Sequence, residues 1–429
     1  MGVTHDRLDA MNIVGTSQVT ARRARAFLWP LAIMLGIQLV IVESLNGAVT
    51  DDFTTVYSAL QRFIHGENVY AQVYHHTDPL YLYNPGATLL LAPLGFIEPA
   101  GFARTLFIVA NATAIVASLA ILTRIFGYSL RGPVFPFCIA VATMTEAVRN
   151  TLIFSNINGI LLLALTAYLW CLTHKQPWAR WVGGVIIGLA ILIKPQFAPL
   201  LFLPLVMRWW PTIIIGIGVP VGLNLVAWPL IPGAQEYRSE LVPHLRQTRD
   251  FANSSLPGLA EYFDMPNWLY YPVWLFFAGL AGIAVLALLS LRKTDHLLWI
   301  ATTAGVLFCG VFFLSSLGQM YYSMLLFPMI FSCTRGRSVF HLWPSWLAAI
   351  MFLFPLSWTM TWTGDRSAPI GTWMNYFSAT VGWGLLLLTT ATCSVAWFLH
   401  DKKTTSQRPT RKIPTRTQQS LTDRHSAVE

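Results

Sequence analysis

FLWPLAIMLGIQLVIV, residues 27–42, carries no charged side chain and ends at Glu43. A run of this length and polarity is read as a membrane span. Arg22, Arg23 and Arg25 precede it, so its basic end belongs in the cytoplasm. No small-residue cleavage site follows, and the run is an uncleaved first helix rather than a signal peptide. Just past it lies Val49-Thr50-Asp51-Asp52-Phe53-Thr54-Thr55-Val56-Tyr57. Carboxylates are scarce, with 19 Asp and Glu among 429 residues. A tight acidic pair at a membrane boundary is therefore either a solvated turn or a catalytic base.

Composition extends this reading to the whole chain. The hydrophobic share is 55%, the charged share 11% and the mean hydropathy +0.55. A soluble domain carries about a quarter charged residues, so the expected class is an all-α polytopic membrane protein. The net charge of +9 is spread in short clusters between apolar runs. That is the mark of cytoplasmic loops, not of a nucleic-acid surface. Cys138, Cys171, Cys309, Cys333 and Cys393 lie in or beside apolar runs without CxxC spacing. They read as core residues, with no metal site or disulfide framework.

About 12 transmembrane helices are expected, near residues 27–43, 101–124, 133–149, 157–173, 181–193, 197–207, 211–230, 268–291, 297–314, 320–333, 341–360 and 376–399. With the N-terminus inside, Arg124/Arg131, Lys175/Arg180, Arg208, Arg292/Lys293, Arg335/Arg337 and Lys402/Lys403 all fall inside as well. Runs 181–193 and 197–207 also read as one broken hairpin, which leaves their neighbours' orientation unchanged. Counting Pro85–Phe96 as a crossing would invert every later loop, so this short run reads as re-entrant or interfacial, packed on protein. The domain plan is a cytoplasmic segment 1–26, a transmembrane catalytic domain 27–400 and a disordered cytoplasmic tail 401–429. No internal repeat is evident, which weighs against a repeat-built transporter.

This topology gathers unusual polar residues on the outer face. Asp51, Asp52, Tyr57, His75, His76, Asp78, Tyr81, Tyr83 and Asn84 lie in the loop 44–100. Asn156 and Asn158 lie at a helix mouth, and Lys194 at a helix end before Pro195. Arg249, Asp250 and Asn253 lie in the loop 231–267, and Gln319, Tyr321 and Tyr322 start the 320–333 run. Each has a plainer reading. An aspartate caps a helix beginning at Phe53. Lys194 snorkels to headgroups. Arg249 and Asp250 form a loop ion pair. Tyr81 and Tyr83 belong to an aromatic belt. Asn253-Ser254-Ser255 fits a glycosylation triplet that is common by chance. The vicinal His75-His76 pair does not share a helical face as metal ligands at i,i+4 do.

Taken together, the set suits transfer from a lipid-phosphate sugar. Lys194 and Arg249 would hold the phosphate and stabilise its charge as it leaves. Asp51 or Asp52 would accept the proton of the attacking hydroxyl. Adjacent carboxylates couple, which raises one pKa and makes a better base. Tyr and Asn side chains would stack on and hydrogen-bond the sugars. Lipid phosphate leaves readily, so one displacement without a second acid inverts the anomeric centre.

The chain resembles the GT-C glycosyltransferases. More narrowly, Asp51-Asp52-Phe53…Val56-Tyr57, Tyr83-Asn84-Pro85-Gly86…Leu91-Ala92-Pro93-Leu94 and Lys194-Pro195 resemble glycosyltransferase family 87. Thr50-Asp51-Asp52-Phe53, Asp78-Pro79…Tyr81-Leu82-Tyr83, Asn156-Ile157-Asn158-Gly159, Thr248-Arg249-Asp250…Asn253-Ser254-Ser255 and Gln319…Tyr321-Tyr322-Ser323-Met324 resemble its mycobacterial and corynebacterial branching arabinofuranosyltransferases. The likeness runs from about residue 27 to 400. It implies decaprenyl-phosphoryl arabinofuranose as donor and a linear α(1→5) arabinan of arabinogalactan and lipoarabinomannan as acceptor. It also implies an α(1→3) branch as product and a site on the extracytoplasmic face of the plasma membrane. By the family pattern a first-loop aspartate is the base, with Asp52 slightly favoured because it abuts Phe53…Tyr57. Mannosyltransferases of the family often carry histidine near Gln319–Tyr322, and none stands here. A polyprenyl-phosphate-mannose mannosyltransferase is the nearest alternative. A lipid-sugar flippase and a cell-wall scaffold are the alternatives of other classes.

Overall fold

The computed structural model describes residues 3–46, 52–75, 80–249, 252–354 and 368–406. Helices form nearly all of it, and no strand occurs among the described residues. The first half comprises α1 (Val3–Ile37), α2 (Asp52–Ile64), α3 (Pro85–Leu91), α4 (Ala100–Ile125), α5 (Val134–Met144), α6 (Glu146–Ile153), α7 (Asn158–Thr173), α8 (Pro177–Ile193), α9 (Phe202–Met207) and α10 (Trp210–Ala227). After it come the short α11 (Ala234–Glu236), α12 (Val242–Arg246) and α13 (Leu256–Tyr262). Then follow α14 (Asn267–Leu288), α15 (His296–Leu314), α16 (Phe327–Phe331), α17 (Trp343–Leu353) and α18 (Ala368–Ser406).

Among the described residues six helices are long and apolar enough to cross a membrane: Gln18–Ser44, Ala100–Ile125, Trp210–Ala227, Asn267–Arg292, His296–Leu314 and Phe377–Lys403. The other expected crossings are shorter apolar helices, and local chemistry explains why. The expected 133–149 span breaks at Thr145, whose backbone is extended and whose hydroxyl caps α6 by accepting from Val148 N. Pro195 and Pro199 make the segment after α8 a 3₁₀ helix over Pro195–Leu201 before α9. The tighter helix climbs about 2.0 Å per residue, so a short run returns the chain across the bundle. At its far end Arg180 lies over the Trp209 ring, 5.4 Å from its centroid. Residues Met320–Leu326 form a second 3₁₀ stretch before α16.

At the chain ends, helix begins at Val3, well before the span expected from residue 27, and a π-helical turn Gln38–Ser44 extends α1. Helix α18 runs to Ser406, so residues 401–406 of the expected tail are helical. Residues 407–429 lie outside the described residues.

Helix α15 forms the centre of the bundle. Its apolar window is 72% buried, against 11% for the first helix. Its own Trp299, Phe308 and Phe312 are buried against the neighbouring helices. Packing rather than water exclusion drives helix association in lipid, and α8 against α10 shows how. A Cβ added at Gly184 would sit 2.8 Å from Ile215 Cβ, and one at Gly188 2.8 Å from Val219 Cβ. The two parallel helices touch at these points only because no side chain intervenes.

The polar groups divide between two ends. At one, Arg335 pairs with Asp295 at 3.0 Å and Arg337 with Asp401 at 2.9 Å. The Arg25 guanidinium donates to Arg131 O. At the other end lie the starts of α2, α3 and α7 and the ends of α8 and α10. Segment Pro85–Phe96 keeps both its ends there. Asn84 Nδ2 donates to Leu192 O at the end of α8, and Gly95 O accepts from Gln61 of α2.

Candidate active site

The site begins with α2. Phe53, Val56, Ala59 and Leu60 are buried at helical spacing, which lays this face on the bundle. Phe53 stacks on Tyr57 and meets Phe107 of α4. Tyr57 donates its hydroxyl to Ile97 O at 3.0 Å. Asp52 is thereby held as the first residue of α2, and its backbone N–H donates to Phe154 O at 3.0 Å.

That bond ties α2 to the turn between α6 and α7. Ser155 in this turn is buried with φ +50°, a left-handed conformation unfavourable for a side-chain-bearing residue. The turn aims Asn156 inward, and its Oδ1 accepts from Asn158 N at 3.0 Å. Gly159 then lets α7 start against α4, since a Cβ there would lie 2.7 Å from Asn111 O.

Lys194 is the one-residue link between α8 and the following 3₁₀ helix, outside both. Its backbone N–H donates to Ala190 O and its carbonyl accepts from Phe197 N. The ammonium donates to Asn158 Oδ1 at 2.6 Å and stands 4.1 Å from the Tyr322 ring centroid. Burial pushes its pKa down to about 7, and the Asp52 carboxylate pulls the other way. Asp52 is also near enough to act electrostatically on Tyr83, Tyr321 and Tyr322. Burial, with Asp52 beside it, raises the Tyr83 hydroxyl above the usual tyrosine range. Arg249 acts on Tyr321 and Tyr322 in the opposite sense.

Asp52, Lys194, Arg249, Asn156, Asn158, Tyr83, Tyr321 and Tyr322 thus come together from segments far apart in the chain. Three of their donors are buried with no hydrogen-bond partner among the described residues: Asn156 Nδ2, Asn158 Nδ2 and Arg249 Nε. An unmatched buried donor costs about 1–3 kcal/mol. Such groups gather where a ligand's oxygens complete them.

The other expected residues have supporting positions. Tyr81 is fully buried, with its hydroxyl on Thr88 Oγ1 at 2.7 Å. Asn84 caps α3 through Ala87 N. Gln319 Oε1 accepts from the Tyr321 hydroxyl and sets that ring. Asn253 Nδ2 donates to Arg249 O and Ser316 O, and its Oδ1 accepts from Ser255 N and Gly318 N. The Asn253-Ser254-Ser255 triplet is buried, and Ser255 caps α13. Asp51, His76, Asp78 and Asp250 lie outside the described residues.

Two features were not read from the sequence. Arg149 pairs with Glu43 at 2.9 Å and so joins α6 to the end of the first helix. Ala252, at φ +47°, turns the chain so that Arg249 Nη2 reaches Ala252 O at 3.4 Å.

Comparison with known proteins gives this cluster its chemical context. An α-(1→3)-arabinofuranosyltransferase from Corynebacterium glutamicum is 56% identical over 407 residues, covering 93% of this chain and 96% of the relative. One from Mycolicibacterium smegmatis is 37% identical over 388 residues, covering 90% and 89%. A polyprenol-phosphate-mannose-dependent α-(1-2)-phosphatidylinositol pentamannoside mannosyltransferase from the latter organism is 28% identical over 160 residues, covering 37% of each chain. No solved structure matches. The family model of glycosyltransferase family 87 matches residues 81–316. That stretch carries Tyr83, Asn156, Asn158, Lys194 and Arg249, and with the full-length relatives around it the chain belongs to glycosyltransferase family 87.

Proposed function

We propose that this enzyme transfers arabinofuranose, with inversion, from decaprenyl-phosphoryl arabinofuranose to a linear α(1→5) arabinan, and that the product is an α(1→3) branch. The observation that carries this reading is the 56% identity to an α-(1→3)-arabinofuranosyltransferase over 93% of the chain. The mannose-dependent relative shares only 37% of the chain. The reaction would run on the extracytoplasmic face of the plasma membrane, on arabinogalactan and lipoarabinomannan. No metal or cofactor has a role in this scheme.

Asp52 takes the proton of the acceptor's 3-hydroxyl as that oxygen attacks the anomeric carbon. The bond from the anomeric carbon to the phosphate oxygen breaks, and its electron pair leaves with the lipid phosphate. Lys194 and Arg249 hold that phosphate and meet its growing charge. The unmatched Nδ2 groups of Asn156 and Asn158 bond the sugar or phosphate oxygens, while Tyr83, Tyr321 and Tyr322 wall the space. An electrostatic clamp of this kind works best away from bulk water, where charge is weakly screened. Asp51 is the alternative base.

The test is membrane transfer from labelled arabinose lipid to a short linear arabinan, with linkage analysis of the product. A new 1→3 linkage of inverted configuration is expected. Turnover with the mannose lipid alone would overturn the assignment.

A further inference from the structure

A second concavity opens at the site end of the bundle, between residues 68–74 and the α11–α12 segment, and the mechanism above leaves it unused. Its volume is about 540 Å³, and Tyr70, Gln72, Tyr74, Glu236, Glu240 and His244 are among its lining residues. No Lys or Arg lines it. Arg62, close enough to act on Tyr74, directs its guanidinium at Val69 O through bonds of 3.2 and 2.7 Å. Carboxylates without a cation repel a lipid phosphate. They accept hydrogen bonds from the hydroxyls of an uncharged sugar.

The aromatic rings fit the same ligand. Tyr74 and His244 pack against each other in its wall, with centroids 5.4 Å apart. The Tyr74 hydroxyl is buried beside the Gln72 amide and lacks hydrogen-bonding geometry to any described group. Such a ring offers an apolar face for a sugar and a polar tip that a hydroxyl completes.

The concavity is also wired to the reacting centre. Tyr70 belongs to its wall, and its hydroxyl donates to Tyr83 O at 3.0 Å. The rings of Tyr70, Tyr81 and Tyr83 follow one another at 6.0 and 5.6 Å. Tyr83 is within the field of Asp52. Gln72, in the same wall, donates to Tyr81 O at 3.1 Å. Tyr70 and Tyr81 are buried, so this row forms a shared wall between the concavity and the Asp52 end.

We propose that this concavity is an acceptor subsite for uncharged furanose residues beyond the one being substituted. The inference rests on the arabinan reading above. A branching reaction attacks an internal residue, so the chain must continue past the base, and this is the surface it would follow.

The experiment uses the full-length enzyme in membranes and a ladder of linear arabinans, from a disaccharide to an octasaccharide. Tyr74→Ala and, separately, Glu240→Gln should raise KM for the octasaccharide about tenfold, the loss expected when uniform binding is removed, with kcat and the donor KM held. KM for the disaccharide should change by less than about twofold. Equal effects on all lengths, or none on any, would overturn the subsite. Because Glu240→Gln keeps the side chain's shape, a folding defect confined to Tyr74→Ala does not blur the outcome. If the unmodified enzyme transferred to no arabinan, the functional reading would fail instead, and it would do so before either variant was made.

Discussion

Asn253 and Asn158 are the same side chain, both buried at the same end of the bundle, yet their amides are used differently. Asn253 fills all four hydrogen-bonding positions with backbone groups, at Arg249, Ser255, Ser316 and Gly318. Asn158 gives its oxygen to Lys194 and leaves its Nδ2 unmatched. The aspartates differ in their neighbours. At the opposite end Asp295 caps α15 through Leu298 N and takes both bonds from Arg335. Asp52 acts instead on Lys194, Tyr83, Tyr321 and Tyr322. A side chain consumed by its own scaffold stabilises the fold. One with a buried donor left unmatched is poised for a ligand.

This division can be broken at the base. Asp52→Asn should lower transfer about a thousandfold, within the range for loss of a general base, while membrane insertion stays normal. Asp51→Asn should retain most activity. A dead Asp51→Asn beside an active Asp52→Asn would move the base by one residue, and full activity in both would remove it.

The next effect is at the cation. Lys194→Met should raise the donor KM about ten- to a hundredfold, the loss of one charge-assisted bond, and leave the acceptor KM in place. Unchanged donor dependence would refute the phosphate role.

The asparagine pair is separated by stability. Asn253→Ala strands four backbone groups and should cost about 3 kcal/mol, read as a lower melting temperature in detergent. Asn158→Ala should cost less, about 1–2 kcal/mol for the lost Lys194 bond, and lose transfer instead. The reverse pattern would collapse the contrast.

The smallest effect is a pH dependence. Below a pKa of about 7 Lys194 is charged, and its charge is lost as pH rises through that value. Donor affinity should therefore fall several-fold between pH 6 and pH 9 for a site that relies on this charge. Lys194→Arg keeps its charge throughout and should flatten the profile.

Much of this arrangement was legible in the sequence. The apolar runs gave the helices, and the basic clusters Arg292/Lys293 and Arg335/Arg337 stand at the end opposite Lys194 and Asn158. That separation alone drew Asn156, Asn158, Lys194, Arg249 and Tyr322 toward one place. Hydropathy did not disclose the break at Thr145 or the 3₁₀ stretches after Lys194 and Gln319. Those depend on a hydroxyl cap and on the local backbone, which leave an apolar run equally apolar. Nor could residue type separate Asn253 from Asn158, since both are asparagines beside turns at the same end of the bundle. Their difference is one of partners, set by contacts 63 and 36 residues away in the chain. The left-handed Ser155 lacked the glycine that would have announced it.

Ser155 has a mechanical consequence. Phe154, just before it, holds the backbone of Asp52, and Asn156, just after it, holds the start of α7, where Asn158 grips the lysine. Asp52 and Lys194 are therefore tied to one turn through its two sides. A displacement of α2 would pull on the same turn that anchors Lys194.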